Sequence, residues 1–202
     1  MNRRELMRDV GVAVVASPLL VAGASQAQAP INRPNVLVAY HSVTGNTEKM
    51  AQGVVEGANA VPGASVVLKR VSEVAADDLL SADAVIVGSP VYFGNMAGEV
   101  KTFFDYWLLK FDFYREFKMR NKIGAAFATG GSISNGKEIT MMTILEAMLI
   151  NKMIVVSGGG SFGFGASATT GPDSPGIDEK KLTAARDLGR RVAEFAAASK
   201  RA

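Results

Sequence analysis

Between Tyr40 and Lys49 the chain reads His-Ser-Val-Thr-Gly-Asn-Thr-Glu, a cluster of hydroxyls and one amide around a single glycine. Ser42, Thr44, Asn46 and Thr47 offer side-chain donors. Gly45 lets the backbone bend so that successive N–H groups turn inward together. An amphipathic stretch begins at Thr47, and a helix there would aim roughly half a positive charge of dipole at the same spot. From His41 to Glu48 there is no Lys or Arg. Charge-assisted hydrogen bonds contribute on the order of 1.5–3 kcal/mol each, so several of them hold a phosphate without a cation. An ordinary helix cap needs only one hydroxyl. Four polar groups around a glycine exceed that need, which favours an anion site over a helix cap.

Two other glycine-rich segments compete for a nucleotide. Gly158-Gly159-Gly160-Ser161-Phe162-Gly163 satisfies G-x-G-x-x-G, but it follows the last predicted strand and runs into more loop. A dinucleotide fingerprint must instead open a helix after the first strand. Gly131-Ser132-Ile133-Ser134-Asn135-Gly136-Lys137 reads G-x-x-x-x-G-K, yet Glu138 stands where a magnesium-binding Ser or Thr belongs. No apolar strand ends in the aspartate that would complete a triphosphatase site. The opening cluster is the stronger candidate.

The elements that position it follow from hydrophobic patterning. Asn35–Tyr40, Ser65–Arg70, Asp83–Gly88, Lys122–Thr129 and Met153–Val156 are short apolar runs read as five strands, the third closed by Ser89-Pro90. Thr47–Ala60, Gly98–Leu109, Lys137–Ile150 and Asp178–Ala198 are read as helices, Ala75–Leu80 as a short helix or turn, and residues 157–176 as a long loop. The runs are continuous rather than alternating, as when helices cover both faces of a parallel sheet. The pattern predicts an α/β, doubly wound five-stranded parallel sheet with ligands beyond the carboxyl ends of its strands.

Composition sets limits. The 202 residues are enough for one domain with a core, at 48% hydrophobic and 20% charged residues. There is no cysteine, which excludes disulfides and thiolate chemistry, and the single histidine, His41, excludes a His-rich metal site. A formal charge of +3 with no basic run gives no footprint for nucleic acid. Arg3-Arg4, an apolar run from Val10 to Ala24 and the small residues up to Ala29 read as an export signal of twin-arginine type. The expected division is a signal at 1–29 and one domain at 30–202, with a periplasmic location, the alternative being a cytoplasmic or membrane-tethered protein if the segment stays uncleaved. Pro30 disfavours cutting after Ala29, so Ala27 and Ala24 are further cleavage points. Residues 1–29 hold three arginines and two acids, and their removal leaves a formal charge of about +2.

Ser42-Val43-Thr44-Gly45-Asn46-Thr47 after a first strand resembles the phosphate loop of the flavodoxin-like proteins, which bind flavin mononucleotide (FMN). Gly88-Ser89-Pro90-Val91-Tyr92-Phe93-Gly94-Asn95-Met96 resembles the isoalloxazine loop of WrbA-type NAD(P)H:quinone oxidoreductases. Ala128-Thr129-Gly130-Gly131 resembles their third flavin loop, and Phe164–Ser167 with Gly171-Pro172-Asp173 the loop before their last helix. The similarity covers about residues 35–198 and implies a flavodoxin-like sheet of order 2-1-3-4-5. It also implies phosphate contacts from Ser42, Val43, Thr44, Gly45, Asn46 and Thr47. Pro90, Val91, Tyr92, Phe93, Gly94 and Asn95 would lie along the flavin edge, and Thr129, Gly130, Gly131 and Ser132 at its pyrimidine end.

The function implied is an FMN-dependent oxidoreductase passing electrons from NAD(P)H or another donor to a quinone-like acceptor, as a homodimer or homotetramer. The alternative is a flavodoxin-type electron carrier; carriers of that type are strongly acidic, unlike this chain. Two features depart from the WrbA pattern. The segment Lys69–Ala84 is compact, and Leu149-Ile150-Asn151 stands where that type has a histidine bordering the flavin. The aromatic stretch Trp107–Phe117 is expected either to cover the flavin or to pack.

Overall fold

The computed structural model describes residues 33–158, 163–172 and 174–200. The expected signal at 1–29 and the middle of the Gly158–Gly163 pattern lie outside them.

Five apolar runs supply the parallel sheet. β1 (Asn35–Tyr40) pairs with β2 (Ser65–Arg70) on one side and β3 (Ala84–Tyr92) on the other; β5 (Ile123–Gly130) pairs with β3 and with β6 (Ile154–Val155). The order β2-β1-β3-β5-β6 is the expected 2-1-3-4-5. The helices are α1 (Asn46–Asn59), α2 (Ala76–Ser81), α3 (Gly98–Leu109), α4 (Lys137–Ile150) and α5 (Glu179–Ser199). Each lies within a residue or two of its predicted span.

Strand alternation divides the core in two. Val36, Val38, Ile86, Ala125 and Phe127 face α1 and α5, meeting Met50, Val54, Leu188 and Val192. Leu37, Ala39, Val85, Val87 and Ala126 face α3 and α4, meeting Phe103, Trp107, Ile144 and Met148. Burial of each large side chain contributes roughly 1.5–3 kcal/mol. Trp107 and Phe113 are buried here, so this part of the aromatic stretch packs rather than covering a ligand.

Two expectations are corrected. The third strand does not stop at Ser89-Pro90 but runs to Tyr92 and turns back through β4 (Asn95–Met96), its antiparallel partner. Pro90 is tolerated there because the neighbouring β5 register continues only as far as Thr129. The fifth strand is split. β6 covers only Ile123 and Gly124, while Ala166–Thr169, assigned to loop by its small residues, forms β7 beside Phe127–Gly130. Alanines 166 and 168 are buried against the core around α5, where larger side chains have no room.

Asp78 anchors the start of α2. Its carboxylate accepts from Lys69 Nζ at 2.7 and 2.8 Å and from the Ala75 N–H at 2.8 Å. Burial opposes the charge, but Lys69 and the Ala75 amide outweigh it and hold the group below the ordinary carboxylate range. A depressed folded-state value contributes stability above the unfolded value and loses it as pH falls through the folded one. Asp78→Asn is therefore expected to cost about 1 kcal/mol near neutrality. In urea titrations its deficit should shrink as pH drops below the carboxylate range; a constant deficit would assign the effect to packing.

Candidate functional site

The carboxyl ends of β1, β3 and β5 bring the three predicted segments to one edge of the sheet, around a small cleft of about 130 Å³. Val43, Thr44, Asn46 and Thr47 line it from the first, Pro90, Val91 and Tyr92 from the second, and Thr129, Gly130 and Gly131 from the third. Thr170, directly after β7, completes the wall. No sequence signal pointed to Thr170, because the small residues of β7 concealed the strand that delivers it.

The first segment has the features of an anion cradle. The residue before α1 is Gly45, left-handed at φ +84°, and no side chain caps the helix. A cap cluster is therefore not what the four polar groups form. The first amide bonded in the helix is Lys49 N–H to the Gly45 carbonyl at 2.9 Å; those of Asn46, Thr47 and Glu48 have no acceptor among the described residues. Ser42 is buried at 6% exposure, and its Oγ has no hydrogen-bond partner among the described residues. The Asn46 amide donates to Thr44 Oγ1 at 3.1 Å, and the Thr47 and Thr129 hydroxyls lie 2.8 Å apart, joining the first segment to the third.

The loop has no cation of its own, but the fold delivers one beside it. Arg70, at the end of β2, donates to the Ser42 carbonyl at 2.9 Å and to Glu48 Oε2 at 3.1 Å. Tyr40 donates to the same carboxylate at 2.9 Å, and burial, followed by Glu48, pushes its hydroxyl pKa up. Arg70 thus holds the loop's shape without lining the cleft.

In the second segment Phe93 and Gly94 are both left-handed, at φ +49° and +83°, the pattern of a type I′ hairpin turn. Tyr92 lines the cleft, whereas Phe93 stands fully exposed at the hairpin tip. Asn95 does not reach the cleft either; its Oδ1 accepts from Thr143 Oγ1 at 2.8 Å and from the Met96 N–H at 2.7 Å. A Cβ at Gly136 would lie 2.5 Å from the Gly94 carbonyl, so the start of α4 rests directly on this turn. His41 sits behind Tyr92, ring centroids 6.4 Å apart, with Nε2 3.6 Å from the Glu99 carboxylate.

The third segment is tied down from below. Lys137, the lysine of the G-x-x-x-x-G-K pattern, is buried and donates to the carbonyls of Ser132 and Ile133 at 2.7 and 2.9 Å. It offers no charge for a phosphate to grip directly. Asn135 closes the loop when its oxygen accepts from the Gly131 N–H at 3.0 Å and its nitrogen donates to the Ser132 carbonyl at 3.1 Å. Ser132 itself is exposed beyond the cleft lining. A larger apolar groove of about 570 Å³ lies between α3 and α4, where Ile150 and Asn151 meet Trp107, Leu108 and Tyr114. Its walls mix these apolar side chains with the acids Asp105 and Glu146, which disfavour an anion. No group of three or more His, Asp and Glu that could hold a metal occurs among the described residues.

Residues 72–167 match the family described as NADPH-dependent FMN reductase. The chain is 40% identical over 167 residues to a flavodoxin of Aquifex aeolicus, covering 80% of this chain and 86% of the relative. It is 32% identical over 205 residues to an NAD(P)H dehydrogenase (quinone) of Geotalea daltonii, covering 80% and 96%. Among solved structures it superposes on the flavodoxin, WrbA-like protein of Agrobacterium tumefaciens with a TM-score of 0.69 at 27% identity, covering 81% of this chain and 97% of the other.

Proposed function

We propose that this chain, which belongs to the flavodoxin-like family, binds FMN in the cleft beyond β1, β3 and β5. There it serves as an oxidoreductase passing electrons to a quinone-like acceptor. The observation that carries the reading is the pairing of a buried, unpartnered Ser42 hydroxyl with three open amides at the uncapped start of α1. Together they fit a phosphate: donors converge, the dipole points at them, and no side chain fills the space around Gly45. When bound, FMN supplies two-electron chemistry, and the protein supplies position and electrostatics. Ser42 to Thr47 hold the phosphate, Pro90 to Tyr92 border the ring edge, and Thr129 to Ser132 border its pyrimidine end. The names of both the matched family and the quinone-reducing relative support NAD(P)H as donor. For an exported protein, where those nucleotides are scarce, a membrane quinol or a partner protein takes that role. Exposed Ile139, Met142, Leu149 and Ile150 along α4 support self-association.

A carrier without its own substrate is the second reading, favoured by the 40% identical flavodoxin. A fluorescence-quenching titration with FMN tests the central claim: saturation at one FMN per chain is expected, and a colourless protein that takes up none would overturn it. Stopped-flow mixing with NADH and NADPH then separates the readings, since an enzyme is reduced within a turnover and a carrier only through a partner.

Ser42→Ala gives an internal check. Its hydroxyl has no partner among the described residues, so its loss leaves the apoprotein as stable as before, or more stable by up to about 1 kcal/mol. FMN affinity is expected to fall about tenfold. A variant that loses stability and keeps its affinity would place the phosphate elsewhere.

A further inference from the structure

Lys137 stands in an electrostatically adverse place. It is the first residue of α4, where the helix dipole already concentrates positive charge. It is 4% exposed, yet none of the salt bridges among the described residues includes it. Its ammonium is held by neutral groups, the carbonyls of Ser132 and Ile133 at 2.7 and 2.9 Å, with the Asn135 side-chain amide 3.4 Å away. The neighbouring Glu138 is exposed and forms no ion pair with it. A buried cation on a positive helix end is costly unless it is paired or hydrogen-bonded, and here hydrogen bonds to neutral groups hold it while its full charge stays inside the fold. The carbonyls it holds belong to the loop whose start, Thr129 to Gly131, lines the cleft. By accepting from a cation, the Ser132 and Ile133 carbonyls polarise their peptide groups and strengthen the N–H groups of Ile133 and Ser134 as donors.

We propose that Lys137 is a positioning residue that biases the site toward the reduced, anionic form of the flavin. The inference rests on the FMN reading above. On reduction the oxidised ring takes up two electrons and one proton and is left with one negative charge at its pyrimidine side. On the FMN reading above, that side would face the loop that Lys137 underlies. Lys137 never touches the ring; it acts through the peptide groups of Ser132 and Ile133 and through its own field, which a dry site screens weakly.

The test is the ratio of affinities for reduced and oxidised FMN, read as the two-electron midpoint potential of the bound flavin during anaerobic dithionite titration. Lys137→Gln keeps a donor for the carbonyls and removes the charge. It is expected to lower the ratio about tenfold, equivalent to about 30 mV for a two-electron couple, while Lys137→Arg keeps the parental value. Glu138→Lys, at an exposed position that leaves the core untouched, is expected to raise the ratio about twofold at low ionic strength and to lose that gain in salt. It keeps the test open should the Lys137 variants fail to fold. A merely structural lysine would weaken both forms equally and leave the potential unmoved in Lys137→Gln, and a loop insensitive to charge would leave it unmoved in Glu138→Lys; either result overturns the proposal. Failure of the parent to bind FMN overturns the functional reading instead, so the two failures are distinct.

Discussion

Asn46→Asp is expected to lower FMN affinity about a hundredfold while leaving riboflavin affinity within about twofold. Asn46 opens α1 and lines the cleft, with its amide on Thr44 Oγ1. An aspartate there would put a second negative charge beside the proposed phosphate, at the roughly 4 Å of a close ion contact. At an effective dielectric near 20 one such pair of like charges repels by about 4 kcal/mol, and solvent and salt remove part of that. Riboflavin lacks the phosphate and meets no such charge. The apoprotein responds with the opposite sign, because an acid in the first turn complements the uncapped helix end and contributes roughly 0.3–1 kcal/mol. A variant that is more heat-stable without ligand and much weaker for FMN alone identifies the phosphate site. Equal losses for FMN and riboflavin in parallel quenching titrations would place the phosphate away from this loop.

Gly57→Ala is expected to destabilise the fold by at least about 3 kcal/mol, although helix propensity alone favours the change by about 1 kcal/mol. The Cβ would lie 1.9 Å from the Arg186 carbonyl oxygen on α5. Reciprocally, a Cβ on Gly189 of α5 would lie 1.9 Å from the Val54 carbonyl oxygen on α1. The two backbones are in direct contact, so neither clash can be relieved by turning a side chain. The helices must separate, and Met50, Val54, Leu188 and Val192 then lose their packing. For a domain of this size the loss lowers the melting temperature by roughly 6–12 °C. Gly98→Ala serves as the control: its Cβ would enter open space at the start of α3, and it should be neutral or slightly stabilising. Comparable melting temperatures for Gly57→Ala and its parent would mean that α1 and α5 separate without cost. Because α1 also carries the cradle, a partly separated α1 is expected to weaken FMN binding as well.

The effects of these two changes lie at opposite ends of one helix. Residue 46 acts on what the helix presents to a ligand, and residue 57 on what holds the helix in place. A quenching titration should separate them, since Asn46→Asp acts selectively through the phosphate and Gly57→Ala lowers affinity for FMN and riboflavin alike.

Much of this was legible from residue order. Apolar runs such as Val36–Tyr40 and Ile123–Ala128 declare buried parallel strands because both of their faces are covered. The helices bounded by Pro62-Gly63 and by Gly136 carry their own start and stop chemistry. The cluster from Ser42 to Thr47 could be read as an anion loop because its donors are neighbours in sequence and its glycine permits the bend. Local composition suffices when a feature is made of consecutive residues.

What depends on distant contacts could not be read that way. β7 is a strand only because β5 offers Phe127–Gly130 an open edge, and small alanines there carry no hydrophobic signal of their own. Lys137 resembles a phosphate-gripping lysine in sequence, but the loop folds back over it and its ammonium meets the Ser132 and Ile133 carbonyls. Arg70 lies 28 residues from the Ser42 carbonyl it holds, and Thr129 lies 82 residues from the Thr47 hydroxyl it meets. The sequence by itself determined the main parallel strands, the helices and a polar loop around Gly45 with no cation of its own. The tertiary structure alone decided which polar groups stay open to a ligand and which are already satisfied, because burial and hydrogen-bond partners are properties of the packed chain.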